Sequence, residues 1–178
     1  MKKVIVTGSG TFMGNHIANF LLKKGFFVFF FYNNTKPKVS YKKNYKLIKV
    51  DLKKKIIIKK KIKIDYLIHC ASAVPSNNLS KAEMYNINCN GLKKILNKFI
   101  IIKKIIFISS MSVYGLINSK KINEKTKLTN PDFYGVTKKK CEDILIDHIK
   151  KNNLQLIILR LPGIIGQNSK NNFLSSLK

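Results

Sequence analysis

A chain of 178 residues, 45% hydrophobic and 24% charged, supplies one domain with a sizeable core, and its apolar runs are too short to span a bilayer. The formal net charge of +27 raises nucleic acid and anionic membrane as partners, yet Arg160 is the only arginine, and arginine is the residue of bidentate phosphate and guanine recognition. Lys, Asn, Ile and Phe are abundant together, as A/T-rich codons would give, so Lys53–Lys55, Lys59–Lys61 and Lys138–Lys140 read as mostly solvated faces and a lysine-rich nucleic-acid binder is the lesser reading.

Lys2–Val6 is a short apolar run that predicts a first strand, interrupted from Gly8 onward too early for a secretory leader. It ends at Thr7-Gly8-Ser9-Gly10-Thr11-Phe12-Met13-Gly14. A helix follows, with Phe12, Ile17, Phe20 and Leu21 on one side and Gly25 as its stop. Val28–Tyr32 reads as a second buried strand, and Tyr45–Val50 as a third, ending at Asp51. From Lys53 to Ile64 basic and isoleucine blocks alternate without a clean period, which predicts a short helix or an irregular crossover. Asp65–Cys70 is a fourth strand, Ala71–Ser80 a loop of small residues, and Lys81–Ile101 a long helix. Ile105–Ser109 is a fifth strand, followed by a tight turn and a polar loop over Gly115–Asn130. A helix over Pro131–Lys151, with proline at its start, leads to a sixth strand at Leu154–Arg160. This alternation predicts a doubly wound α/β fold, a parallel sheet with helices on both faces, in strand order 3-2-1-4-5-6. One domain covers residues 1–167, and 168–178 is a short tail. Cys70, Cys89 and Cys141 are odd in number and widely spaced, which argues against a disulfide framework or a zinc site and fits a reducing cytoplasm.

Two patterns carry chemistry. Strand, glycine turn, helix and strand in succession are the context of a dinucleotide fingerprint, in which glycine backbone approaches a pyrophosphate and a helix N-terminus offers N–H donors. Tyr134 and Lys138 stand four residues apart, so on a helix they share a face. An ammonium beside a phenol favours the phenolate, lowering the tyrosine pKa towards neutrality and making it a usable acid and base.

With these residues in place the chain resembles the extended short-chain dehydrogenase/reductases, in their NAD(P)-dependent sugar-nucleotide epimerase/dehydratase branch. The resemblance runs from Lys2 to about Gln167. Thr7–Gly14 resembles the family's cofactor turn, which implies cofactor contacts from Gly8, Gly10, Thr11, Phe12, Met13 and Gly14. Asp51-Leu52 resembles the pair that contacts adenine, and the fourth-strand motif ending in Ala71-Ser72 lies beside the cofactor. Asn88 matches the cofactor-side asparagine of the Asn-x-x-Gly element. Ser109–Gly115 resembles the turn carrying the catalytic serine, which is Ser110; Tyr134 and Lys138 match the active-site pair, and Glu142 the glutamate four residues later. Arg160–Gly166, with Pro162, resembles the segment beneath the nicotinamide.

The resemblance implies hydride exchange between a nicotinamide and a carbon of a nucleotide-linked sugar, with Tyr134 handling the hydroxyl proton. Lys138 would lower the Tyr134 pKa and bind the nicotinamide ribose, and Ser110 would orient the reacting oxygen. It also implies dimerisation through the helices at Lys81–Ile101 and Pro131–Lys151, although Ile95, Leu96, Ile144 and Leu145 equally suit packing on the sheet. Thr11 replaces the family's middle glycine, so its side chain either crowds the pyrophosphate or the turn is rebuilt around Gly10. Tyr32 stands where an acidic residue would hold the ribose of NAD, while Asn33, Asn34 and Lys36 suit a 2′-phosphate, so the cofactor is NAD or NADP. Gly163 replaces an asparagine that many epimerases use near the substrate phosphates. Family members continue into a substrate-binding region beyond the length of this chain. A partner chain completing the site, or an NAD(P)-binding module without catalysis, is the alternative to an enzyme acting alone.

Overall fold

Runs of β-branched and aromatic residues form six strands among the described residues: β1 (Lys3–Thr7), β2 (Phe27–Tyr32), β3 (Tyr45–Lys49), β4 (Ile62–His69), β5 (Phe99–Ser110) and β6 (Gln155–Leu161). The computed structural model describes residues 1–57, 62–75, 78–117, 121–166 and 169, apart from the side chain of 102. The strands pair in one parallel sheet, in the order β3-β2-β1-β4-β5-β6, as the alternation predicts. Helix α1 (Phe12–Lys23) covers one face, where Val4, Val6, Ala18, Leu22, Val28 and Phe30 are buried together. Helices α2 (Lys81–Tyr85), α3 (Gly91–Lys98) and α4 (Phe133–Asn152) cover the other, over Ile5, Leu67, Ile105 and Phe107. A π-turn at Asn86–Asn90 joins α2 to α3. Among the described residues no helix is long and apolar enough to cross a membrane.

Several boundaries differ from the sequence reading. Phe99–Ile101 is strand and not the end of the long helix: Phe99 and Ile101 pair with Ile62 and Ile64 of β4, and both side chains are buried. Three consecutive isoleucines suit a pleated strand once a partner lies alongside. β4 likewise begins at Ile62 and not at Asp65; the chain turns at Asp51–Lys54 before it, and residues 58–61, including Lys59–Lys61, lie outside the described residues. Helix α4 starts after Pro131, with Asp132 as its cap: the carboxylate accepts the Gly135 N–H at 2.7 Å. On α1 the buried positions are Gly14, Ala18 and Leu22, with Ile17 and Leu21 packed beside them; Phe20 lies on the outer side, 58% exposed. Of the predicted tail, 168–178, only Ser169 is among the described residues.

Ile95, Leu96 and Leu145 are buried within the single chain, so the sheet accounts for their apolar character without a partner. The thiols of Cys89 and Cys141 lie 3.8 Å apart in the same core, a contact that their separation in sequence hid.

Candidate active site

The C-terminal ends of β1, β2, β3 and β4 open on a cavity of about 620 Å3. Of the residues expected to bind cofactor, Gly8, Gly10, Thr11, Asn33, Asp51, Leu52, Ala71 and Ser72 line it. Close packing demands glycine at one point of its floor: a Cβ on Gly10 would stand 2.0 Å from the Thr35 carbonyl oxygen. Thr11 neither crowds the floor nor leaves the turn to glycine alone. It caps α1, donating from Oγ1 to the Gly8 carbonyl at 2.7 Å and accepting the Gly14 N–H at 3.3 Å. Phe12 and Met13 then present first-turn N–H groups, which have no acceptor within a helix. Their side chains go elsewhere, Phe12 against the His16 ring and Met13 into the core beneath α1. Lys94, unremarked in the sequence, holds the Asp51–Lys53 rim by donating to the carbonyls of Leu52 at 2.8 Å and Lys53 at 2.9 Å.

Asn88 is buried, and its amide is fully engaged by the protein. It donates to the Ala73 carbonyl at 3.1 Å and the Thr137 hydroxyl at 3.0 Å, and accepts from the Ala73 N–H at 2.7 Å and the Ser72 hydroxyl at 3.3 Å. It therefore sets the loop after β4 against α4, and the cavity walls do not include it. Ser72, a cavity residue, also draws the pKa of the Tyr134 phenol downward, so its hydroxyl acts on the first turn of α4 as well as on the loop after β4. That turn presses on the short 3-10 helix at Met111–Tyr114, where a Cβ on Gly135 would stand 2.1 Å from the Ser112 carbonyl oxygen. Ser110, just before this 3-10 helix, donates to the Ser112 hydroxyl at 3.1 Å and accepts its N–H at 3.1 Å. Pro162 is exposed and is not part of the cavity wall.

The expected effect of Lys138 on Tyr134 is not what the structure shows. The ammonium is buried, donates to the Ile108 carbonyl at 2.5 Å and sits 4.3 Å from the centre of the Phe107 ring. Burial lowers its pKa to about 8. The Tyr134 phenol pKa is raised above its ordinary value, first by burial, against a smaller opposing contribution from the Ser72 hydroxyl. Lys138 is thus no part of a solvated lysine face, while Lys140 beside it is exposed.

Behind Ser110 lies a buried ionic knot. Glu142, 1% exposed, accepts the Ser109 hydroxyl at 2.6 Å and both arms of the Arg160 guanidinium, at 3.0 and 2.7 Å. The guanidinium carbon also lies 4.8 Å from the Tyr114 ring centre, and its pKa is raised, chiefly by the Glu142 hydrogen bonds. One pair therefore fastens α4 to β6. A lone arginine in a lysine-rich chain is the signal for it, because only the planar fork makes two parallel bonds to one carboxylate.

His69 ends β4 beneath the site, stacked on Phe107 and 1% exposed. The Thr7 hydroxyl accepts the N–H groups of Cys70 and Ala71, each at 3.1 Å, so its own hydrogen goes to His69 Nδ1 at 2.9 Å. This assigns the imidazole proton to Nε2. Burial, with a lesser contribution from the Lys138 charge, lowers the His69 pKa to about 3. An unfolded histidine takes up its proton near the ordinary value of 6.5. Between those limits the unfolded chain holds more protons, so stability falls as pH falls, by roughly 4 kcal/mol over the whole interval. In urea unfolding followed across that range, His69→Phe is expected to flatten the pH slope; an unchanged slope would show that His69 is not the titrating group.

The sequence model of the NAD dependent epimerase/dehydratase family matches residues 4–177. The UDP-glucose 4-epimerase of Lactobacillus helveticus is 28% identical over 177 residues, covering 94% of this chain and 53% of that protein. The crystal structure of a UDP-galactose 4-epimerase has a TM-score of 0.83, at 19% identity, over 98% of this chain and 60% of that one; this is a likeness of fold. The UDP-glucose 4-epimerase from Bifidobacterium longum, in complex with NAD+ and UDP, has a TM-score of 0.70 at 28% identity, over 89% of this chain and 52% of that one. The chain spans about half the length of the curated relatives it matches.

Proposed function

The chain belongs to the NAD dependent epimerase/dehydratase family, and from that premise we propose that it binds a nicotinamide dinucleotide and acts on a nucleotide-linked sugar as an epimerase, dehydratase or reductase. The observation that carries this reading is the cavity at the C-terminal ends of the strands, whose walls bring together the glycine turn, Asp51-Leu52 and Ala71-Ser72. The residues present fit a dinucleotide. The cavity lies at the C-terminal ends of the strands, its floor is glycine backbone too close to Thr35 for a side chain, and α1 begins beside it. Gly8–Gly14 would hold the pyrophosphate, and Asp51 and Leu52 the adenine.

When bound, the nicotinamide supplies hydride exchange at the carbon that bears the reacting oxygen. Tyr134, a neutral phenol because burial raises its pKa, would give its proton to that oxygen as the carbonyl becomes a hydroxyl, and as the phenolate so formed would take the proton back in the reverse, cofactor-reducing direction. Lys138, one turn along α4, would supply positive charge to the nicotinamide ribose; with a pKa of about 8 its ammonium is mostly charged at neutral pH. Ser110 orients the reacting oxygen, its hydroxyl exchanging Ser112 for the substrate.

The test is titration with NADH and NADPH, followed by nicotinamide fluorescence, since the chain has no tryptophan. The complex with the oxidised dinucleotide is then offered UDP-glucose. Saturable binding with reduction of the bound cofactor is the expected result. Binding without reduction supports a binding module instead, and no binding by the folded chain overturns both.

A further inference from the structure

β2 ends without a carboxylate. In dinucleotide-binding sheets an acidic side chain at that point accepts the 2′-hydroxyl of the adenosine ribose and repels a 2′-phosphate. Here the residue is Tyr32, half-buried on the cavity wall, with its carbonyl occupied by the Val50 N–H at 2.7 Å. Asn33, Asn34 and Thr35 continue the same wall and are exposed. Their place relative to the pyrophosphate turn is set by backbone contact, because the Thr35 carbonyl abuts Gly10. A ribose esterified through its 5′-oxygen to a phosphate at that turn would therefore lie beside residues 32–35.

Charge points the same way. Among the described residues lining the cavity the one carboxylate is Asp51, just past β3 and a strand farther out than Tyr32. One of its oxygens already accepts the Lys53 N–H at 2.9 Å. Lys53 lines the cavity too, and its ammonium meets Glu83 at 3.0 Å in a pair exposed on both sides, which holds weakly in water. Lys36 follows the Asn33–Thr35 wall and is exposed. A dianion at the ribose position would find Asn33 and Asn34 on the cavity wall, Lys36 next to that wall in the chain, and no carboxylate from residues 32–36.

Resting on the dinucleotide site proposed above, we infer that this end of the cavity takes an adenosine 2′-phosphate, and that the chain binds NADPH in preference to NADH. Tyr32 is the residue that permits it, and Asn33, Asn34 and Lys36 are the donors.

Titration of the full chain at low salt is expected to give NADPH an advantage of about tenfold, the worth of one charge-assisted hydrogen bond. The advantage narrows as salt rises, since a lysine carries part of it. Adenosine 2′,5′-bisphosphate is expected to displace NADPH at lower concentration than ADP does. Tyr32→Asp reverses the order of the two dinucleotides. Asn33→Asp, on the exposed loop, shifts it the same way and serves if the half-buried Tyr32 position proves essential for folding. Equal or tighter binding of NADH by the unaltered chain overturns the 2′-phosphate site and leaves the dinucleotide site standing. Failure of the folded chain to bind either dinucleotide removes both.

Discussion

Arg160→Leu is expected to destabilise the fold by about 3–5 kcal/mol, the loss that follows when one partner of a buried ion pair is removed. The reason is the residue left behind. Glu142 is 1% exposed, and without the guanidinium its carboxylate keeps, among the described residues, a single side-chain donor, the Ser109 hydroxyl at 2.6 Å. Arg160→Lys retains the charge but forfeits one of two parallel bonds, so an intermediate loss is expected. The double variant Arg160→Leu/Glu142→Leu leaves no orphaned charge and should recover a large part of the deficit, because apolar replacement of a whole buried pair is often close to neutral. Urea unfolding of the three variants decides it. A loss under 1 kcal/mol for Arg160→Leu would mean that the pair does not tie α4 to β6.

Tyr134→Phe is expected to leave dinucleotide affinity within about twofold while lowering cofactor reduction by UDP-glucose at least a hundredfold, the usual range for a positioned general acid or base, since in this direction Tyr134 takes the hydroxyl proton. The phenol ring packs as before without its hydroxyl. What is lost is the hydroxyl that would exchange a proton with the reacting oxygen. Stopped-flow reduction measured beside equilibrium binding separates the two effects. A full rate in the variant would remove Tyr134 from the chemistry, and a collapse of binding would make its hydroxyl part of the cofactor site instead.

The two variants test opposite kinds of information. Tyr134 and Lys138 stand out locally, because a spacing of four on a helix needs no knowledge of the rest of the chain. The same holds for the sheet. Apolar runs, a glycine turn and intervening helical periods were enough to order six strands, since right-handed crossovers leave few ways to wind them. Thr11 could be read as a departure, but its capping bonds to Gly8 and Gly14 became visible only with the turn's backbone in place.

Other features belong to the packed chain alone. Phe99–Ile101 is helical or extended by its own preferences, and β4 alongside makes it strand. Phe20 is apolar enough for a core, but the face of α1 that meets the sheet is the one with Gly14, Ala18 and Leu22. Burial of the Tyr134 phenol raises its pKa, opposite to the expected effect, while the Lys138 ammonium is turned towards Ile108 and Phe107. Thr7 with His69, Asn88 with Thr137 and Glu142 with Arg160 meet across 62, 49 and 18 positions. Short-range spacing and turn chemistry are properties of neighbouring residues and can be read along the chain. Burial and the choice of partner are properties of the assembled core, in which the sheet brings distant residues together and the absence of water makes each meeting count.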